Sequence, residues 1–216
     1  MIRIVCLAIG YVFGLFQTSY IYGRMKGIDI RQHGSGNAGT TNTLRVLGKK
    51  AGAIVLFGDI LKTGLAMMLV RALFRENYAD MLPLLSLYAG AGAILGHNFP
   101  FYLGFKGGKG IACTAGVIIF FHPYMFLPEF ITFFGIFLAT HYVSLGSLCV
   151  QIVLIAEMII FGQMGVFGMT QPLLNELYLV TIALAIMAFW EHRENIKRLV
   201  HHNERKTYIS GKKKEQ

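Results

Sequence analysis

Three short polar stretches in an otherwise apolar chain carry the side chains that could do chemistry. The first runs His33-Gly34-Ser35-Gly36-Asn37-Ala38-Gly39-Thr40-Thr41-Asn42-Thr43-Leu44-Arg45, with three glycines in six positions among small hydroxyl and amide residues. Glycine lets the backbone approach closely and adopt dihedrals closed to other residues. Ser, Thr and Asn cap helices, so the pattern predicts a helix beginning near Thr41 and running toward Leu47. A glycine-rich loop feeding a helix N-terminus is an anion site, because free N–H groups and the helix dipole face one point. Arg45, one turn beyond Thr41, adds a forked cation. A plain flexible linker is the competing reading, but it has little reason to avoid Glu and Pro while clustering Gly with Asn and Thr.

The second stretch runs from Gly96-His97-Asn98-Phe99-Pro100 to Lys106-Gly107-Gly108-Lys109-Gly110. It is not a nucleotide P-loop. That motif needs Gly, four residues, then Gly-Lys-Ser/Thr, whereas Leu103 stands at the first position and Gly110 at the last. Two lysines among three glycines still make a cationic cradle, and Phe99, Phe101, Tyr102 and Phe105 are suited to anchor it at a membrane interface. The third stretch is Glu191-His192-Arg193-Glu194-Asn195-Ile196-Lys197-Arg198-Leu199. It follows an apolar run directly, so the expectation is a helix that continues out of the bilayer. His192, Asn195 and Leu199 share a face, and Glu194 can pair with Arg198 at i, i+4. An amphipathic surface helix would look the same; imidazole and amide on one face could in addition orient a hydroxyl nucleophile.

The elements that must position these stretches are membrane spans. The chain has 216 residues, 55% hydrophobic and only 14% charged, with mean hydropathy +0.55. Soluble domains carry about 25% charged residues. The expected fold is all-α, a polytopic membrane helix bundle forming a single domain over residues 1–216, with a basic tail over 200–216. Seven candidate spans can be drawn: Ile2–Tyr22, Ala51–Leu73, Met81–Gly96, Ile111–Phe126, Glu129–Thr140, Leu145–Gln163 and Leu173–Trp190. Pro123 and Pro128 divide the two short ones, which could instead be one broken span. With the N-terminus outside, the inner segments hold sixteen of the twenty lysines and arginines. This positive-inside bias places the C-terminus and all three polar stretches on the cytoplasmic side and favours seven spans.

Other features point away from alternative chemistry. The basic excess, net charge +9, lies in loops between spans rather than on a soluble face, so nucleic acid is not the expected partner. Cys6, Cys113 and Cys149 sit in or beside apolar runs without close pairing, and the histidines have no ligand-like spacing, so neither a disulfide framework nor a metal is expected. No histidine is followed by Asp at the fifth position, which excludes the His-x4-Asp acyltransferase motif. Asp59 and Lys62, at i, i+3 within a span, read as an internal ion pair that fixes helix packing; Glu157 has no obvious partner. Anionic grips beside apolar spans suggest an enzyme joining a water-soluble phosphate to a lipid. A transporter of phosphorylated solutes would need more ionisable groups in its spans and a repeat. A lipid-docking scaffold would not need the Gly/Asn/Thr composition of residues 34–43.

At these residues the chain resembles the bacterial acyl-phosphate:glycerol-3-phosphate acyltransferases along nearly its whole length. Ser35-Gly36-Asn37-x-Gly39-x-Thr41-Asn42 is similar to that family's first signature, and Gly96-His97-x-Phe99-Pro100 through Lys106-Gly107-Gly108-Lys109-Gly110 to its second. Tyr142-Val143-Ser144-Leu145-Gly146-Ser147 and His192-Arg193-x-Asn195-Ile196-x-Arg198-Leu199 resemble two more. The chain departs from the pattern at Lys62-Thr63-Gly64, where the family has Lys-Gly, and at His202-Asn203 before Glu204, where a glycine is common. The resemblance implies a seven-span enzyme of the bacterial plasma membrane, with its active site facing the cytoplasm. It implies acyl transfer from acyl phosphate to the 1-hydroxyl of sn-glycerol 3-phosphate, without cofactor, metal, CoA or carrier protein. Catalytic roles are then expected of Ser35, Lys109, His192 and Asn195. Substrate contacts are expected of Gly36, Asn37, Gly39, Thr41, Asn42 and Arg45 in the first stretch, of His97, Lys106, Gly107 and Gly108 in the second, and of Arg193 in the third.

Overall fold

The structure, a computed structural model, describes residues 1–208. The run Lys212-Lys213-Lys214 of the expected basic tail lies outside them. Ten α-helices occur among the described residues: α1 (Ile2–Gly14), α2 (Thr18–Met25), α3 (Thr40–Leu47), α4 (Lys49–Phe74), α5 (Leu82–Asn98), α6 (Ile111–Phe121), α7 (Phe126–Thr140), α8 (Val143–Gln163), α9 (Gln171–Glu191) and α10 (Arg193–Val200). Six segments are long and apolar enough to cross a membrane: 2–25, 49–74, 79–103, 123–140, 143–163 and 171–191. The protein is an all-α integral membrane bundle. α6 is apolar but has 11 residues, so it rises only about 16 Å against a hydrocarbon core of about 30 Å.

α5 is the central post, packed against α1, α4, α6 and α9, while α7 leans chiefly on α8. α1 meets α5 through facing small residues. A Cβ on Gly10 would fall 1.9 Å from the Ala89 carbonyl oxygen, and one on Gly92 would fall 2.0 Å from that of Leu7. Gly14 and Gly96 continue the contact, so each helix presents a small-x3-small stripe that lets the two backbones touch. The interior is Leu84, Leu85, Leu87, Met67, Met158 and Leu177, and a belt of exposed apolar residues such as Phe57, Leu61, Ile131 and Ile186 faces outward. At the end of the bundle where α1 and α5 begin, Arg3 pairs with Glu176 of α9, which also accepts from Tyr88 of α5 at 2.8 Å.

The first expected span, 2–22, is two helices. The chain breaks at Leu15–Gln17, where the Leu15 carbonyl accepts from Tyr102 Oη at 2.7 Å while Gln17 Oε1 has no partner among the described residues. The buried Gln17 amide donates to the carbonyls of Gly14, Gly96 and His97 at 3.0–3.2 Å. The Phe16 carbonyl accepts from Lys62 Nζ at 2.8 Å. Lys62 also pairs with Asp59 at 2.7 Å, so the intraspan ion pair forms and bridges α4 to the break. Among the described residues, Glu157 has no hydrogen-bond partner, nor has Glu129 of α7.

Candidate active site

The first glycine loop is built around Asn42. Its Oδ1 accepts the Ser35 N–H at 2.8 Å, and its amide donates to the carbonyls of Ile30 (3.2 Å) and His33 (2.9 Å). Buried and bonded through both its oxygen and its amide nitrogen, Asn42 shapes the loop. Gly34 and Gly36 take positive φ, 64° and 75°, which the tight wrap requires. α3 then starts at Thr40, one residue from the expected position, capped by Gly39 with no side-chain bond to its first turn. Ser35 and Gly36 stand exposed at the loop's lip, with Asn37 and Thr41 half-buried behind them.

The second glycine loop sits on the end of α5. The N–H of Gly107 donates to Asn98 O (3.1 Å) and that of Gly108 to His97 O (3.0 Å). The two loops touch: Ala38 N–H donates to Gly107 O at 3.4 Å. Arg31, held by Asp29 in a two-point pair, donates to Leu103 O at 3.2 Å and fastens the same two segments. His97 is buried beneath the loop at 2% exposure, its Nδ1 3.0 Å from Lys62 Nζ. It forms part of the floor beneath the loop. Asp59, His97 and Cys113 offer ligand atoms within 4.8 Å of one another, a geometry that could hold a metal. The Lys62 ammonium already occupies Asp59 and His97, so this donor set is balanced in charge without an added cation.

The third stretch is broken rather than continuous. α9 ends at Glu191 and α10 begins at Arg193, because His192 leaves helical geometry and spends its Nδ1–H on the Ala188 carbonyl at 2.7 Å. This fixes the proton on Nδ1 and leaves Nε2 as an acceptor. His192 is buried, and that burial, with Lys109 nearby, pushes its pKa down to about 4, so the ring is neutral at pH 7. Asn195, one turn on, accepts the Lys109 ammonium on Oδ1 and donates from Nδ2 to Glu204 Oε1 at 2.7 Å. Arg193 lies over the Trp190 ring, 5.1 Å from its centroid, and donates to the Trp190 carbonyl. Its charge also bears on Lys109, acting with Arg198 to lower the lysine's pKa.

The sequence marks Ser144 within a family motif and Glu204 at a departure from the pattern, but gives neither a role in the site. Glu204 accepts from Ser144 Oγ (2.9 Å), Asn195 Nδ2 (2.7 Å) and Arg198 Nε (2.6 Å). Burial alone would raise its pKa; these three bonds outweigh it and hold the carboxyl below its usual value. Thr207 follows, buried, with its N–H on His141 O (2.9 Å) and its hydroxyl accepting from Arg45 at 2.6 Å. Arg45 also donates to Arg205 O, so two of its bonds go to the C-terminal segment. A signal for Glu204 existed in its being the one acid among His201, His202, Arg205 and Lys206.

The three polar stretches thus close into a ring at one end of the bundle. The first touches the second at Ala38–Gly107, the second touches the third at Lys109–Asn195, and the segment 203–207 returns from the third to Arg45 of the first. Ser35, Gly36, Asn37, Gly39, Thr41, Lys106, Gly107, Gly108, Lys109, His192 and Asn195 all lie on segments of this ring. Lys109 is its central cation. Burial, reinforced by Arg198 and partly offset by Glu204 and Glu191, pushes its pKa down to about 8. The ring brings two glycine loops, a partly desolvated lysine and the amide of Asn195 to one end of the bundle.

The fold is that of an integral membrane bundle with its polar chemistry gathered at one end. The glycerol-3-phosphate acyltransferase pattern matches residues 4–202, and the chain belongs to that family. It is 40% identical over 200 residues to a glycerol-3-phosphate acyltransferase of Alkaliphilus metalliredigens (92% of this chain, 93% of the relative). It is 38% identical over 207 residues to that of Bacillus subtilis (95% and 98%). Two solved structures of PlsY, an integral membrane glycerol 3-phosphate acyltransferase, superpose on it. The glycerol 3-phosphate form has TM-score 0.80 at 30% identity, covering 95% of this chain and 96% of the other. The lysophosphatidic acid form has TM-score 0.78 at 29% identity, covering 96% of both chains.

Proposed function

We propose that this acyltransferase moves an acyl group from an acyl phosphate to the 1-hydroxyl of sn-glycerol 3-phosphate. The products are 1-acylglycerol 3-phosphate (lysophosphatidic acid) and inorganic phosphate, in the first acylation step of phospholipid synthesis. The observation that carries this reading is Lys109, flanked by glycines and seated against Asn195, on a loop bonded through Gly107 to Ala38 of the first glycine loop. The relatives' names supply the acceptor: two PlsY structures hold glycerol 3-phosphate and lysophosphatidic acid. The absence of a strong base among the described residues favours a donor that is already activated. His192 is bonded to a carbonyl rather than a carboxylate and is too weakly basic at about 4 to deprotonate an alcohol outright.

The hydroxyl of glycerol 3-phosphate donates to His192 Nε2, which orients it toward the acyl carbon. Its oxygen attacks; the bond between acyl carbon and phosphate oxygen breaks; the electron pair leaves on phosphate. Lys109 neutralises that charge, with the side chains of Ser35, Asn37, Thr41 and Lys106 around it. The hydroxyl proton passes to the departing phosphate, the strongest base formed. Holding both substrates in one cleft removes much of the entropic barrier. The acyl chain lies between helices against apolar side chains.

The same reading places the protein in the bacterial plasma membrane as one domain, N-terminus outside, with the ring of polar stretches facing the cytoplasm. α6 and the glycine loop ahead of it then make the seventh crossing together. The test is phosphate release by the detergent-solubilised protein. Palmitoyl phosphate should yield phosphate only when glycerol 3-phosphate is present and without Mg²⁺, whereas palmitoyl-CoA should not acylate glycerol 3-phosphate. Equal turnover with the thioester would overturn the donor assignment.

A further inference from the structure

Lys109 is held from below by two consecutive residues at the end of α5. A Cβ on Gly108 would stand 2.0 Å from His97 Nε2, and one on Gly110 would stand 2.9 Å from Asn98 Oδ1. The backbone bonds of Gly107 and Gly108 go to the same pair. The loop therefore has no slack on either side of the lysine, and its height is set by where the His97 ring lies.

That ring is set in turn by a charged group inside the membrane bundle. Lys62 Nζ stands 2.7 Å from Asp59 Oδ1, 2.8 Å from Phe16 O and 3.0 Å from His97 Nδ1. An ammonium has three donors and no acceptor, so all three protons are assigned and His97 Nδ1 must accept. The ring proton then sits on Nε2, on the side of Gly108. Asp59 Oδ1 takes a further bond from Thr18 Oγ1 at 3.0 Å. Asp59, Lys62 and His97 are 0%, 5% and 2% exposed, so none of them reaches a ligand. A buried ion pair is a weak source of stability and can often be replaced by apolar groups without loss. Its geometry here serves a different end.

We infer that Asp59, Lys62 and His97 are positioning residues for the transfer reaction: the ion pair fixes the His97 ring, the ring carries Gly108, and Lys109 is thereby seated against Asn195. The inference rests on Lys109 serving the transfer as proposed above.

The test compares four detergent-purified proteins: wild type, Lys109→Ala, the double variant Asp59→Asn/Lys62→Met, and His97→Ala. Turnover of palmitoyl phosphate with glycerol 3-phosphate is measured from pH 6 to 10.5, with melting temperature in parallel. Removing both charges together avoids stranding one of them. The expected result for the double variant is at least a tenfold fall in kcat with a small change in KM for glycerol 3-phosphate. Its alkaline limb moves from about 8 toward the ordinary lysine value as Lys109 leaves its seat among Arg198, Arg193, Glu204 and Glu191. His97→Ala, which keeps the ion pair, moves kcat and the limb the same way and carries the test if the double variant does not fold. Normal kcat in both variants while Lys109→Ala is inactive overturns the inference and leaves the function standing. Activity that falls only in step with melting temperature, with the limb unmoved, means a merely structural role and also overturns it. Full turnover by Lys109→Ala removes the role of Lys109 itself, and this inference with it.

Discussion

Replacing Lys109 by methionine keeps the length of the side chain and removes the ammonium. The size of the effect can be worked from the seat it occupies. Burial lowers the Lys109 pKa from 10.5 to about 8, with Arg198 acting in the same direction. At about 1.36 kcal/mol per pH unit, holding the charge there without an anion costs on the order of 3 kcal/mol. A bound phosphate removes that cost, and most of all when charge builds on the leaving oxygen. Losing the ammonium should therefore lower kcat/KM roughly 100-fold, the range found when one preorganised donor is removed. The assay is phosphate release from palmitoyl phosphate at pH 7. The sign of the pH dependence follows: the charged form is active, so wild-type turnover falls as pH rises through about 8. Lys109→Arg, whose guanidinium stays charged, should lose that alkaline limb even though its absolute rate drops. For stability the direction is opposite. The cost of burying the ammonium is present below about 8 and fades as pH climbs toward 10.5. A methionine variant within about fivefold of wild type, or an arginine variant that keeps the limb, would refute the reasoning.

Three other outcomes follow from the same contacts. Glu204→Gln keeps an acceptor for Asn195 but loses the charge opposite Arg198; with Arg198 partly exposed, the stability loss should be only about 1–2 kcal/mol, while kcat falls at least tenfold. Unchanged kcat would show that Glu204 merely ties down the chain end. Gly108→Ala drives a methyl into the His97 ring at 2.0 Å and should nearly abolish turnover with only a modest drop in melting temperature, whereas an active, normally melting variant would mean the loop can lift. His192, neutral when folded with a pKa near 4 against 6.5 unfolded, contributes stability above 6.5 that is lost as pH falls toward 4, about 3 kcal/mol in all. The melting-temperature gap between wild type and His192→Gln should close over that window; a gap independent of pH would contradict the assigned protonation.

The readable part of the site was its backbone chemistry. Gly34, Gly36 and Gly39 ahead of Thr40 dictate a tight loop entering a helix, and Lys109 between Gly108 and Gly110 can hardly be anything but a cation presented on bare backbone. What stayed hidden depends on contacts between distant segments. Asn37 and Asn42 are chemically alike, and only the fold shows that one stands half-buried behind the loop's lip while the other is engaged by Ile30, His33 and Ser35. Glu204 lies 60 residues from Ser144, and nothing local to either marks the bond between them. The break in the first span is similar: Gln17 is tolerable in a continuous apolar helix until Gly96 and His97 arrive to accept its amide. The shortness of α6 escapes hydropathy because its neighbours, Pro123 to Met125 and α7, are equally apolar.

These hidden contacts have one direction in common. They rigidify the ring without adding a ligand-binding group. Lys109 needs that rigidity, because an ammonium held partly out of water without an anion would gain by swinging into solvent. Asn195 Oδ1 gives it a neutral acceptor that does not satisfy its charge, and Glu204 sits behind Asn195 and not against the lysine itself. A carboxylate in direct contact would neutralise the ammonium and compete with phosphate for it. With an amide interposed, the charge stays available and its position stays fixed. The glycines on either side complete the arrangement: they leave no clearance for the loop to sink onto α5. A site of this kind needs little acid–base machinery. It needs a cation that cannot relax before the phosphate arrives.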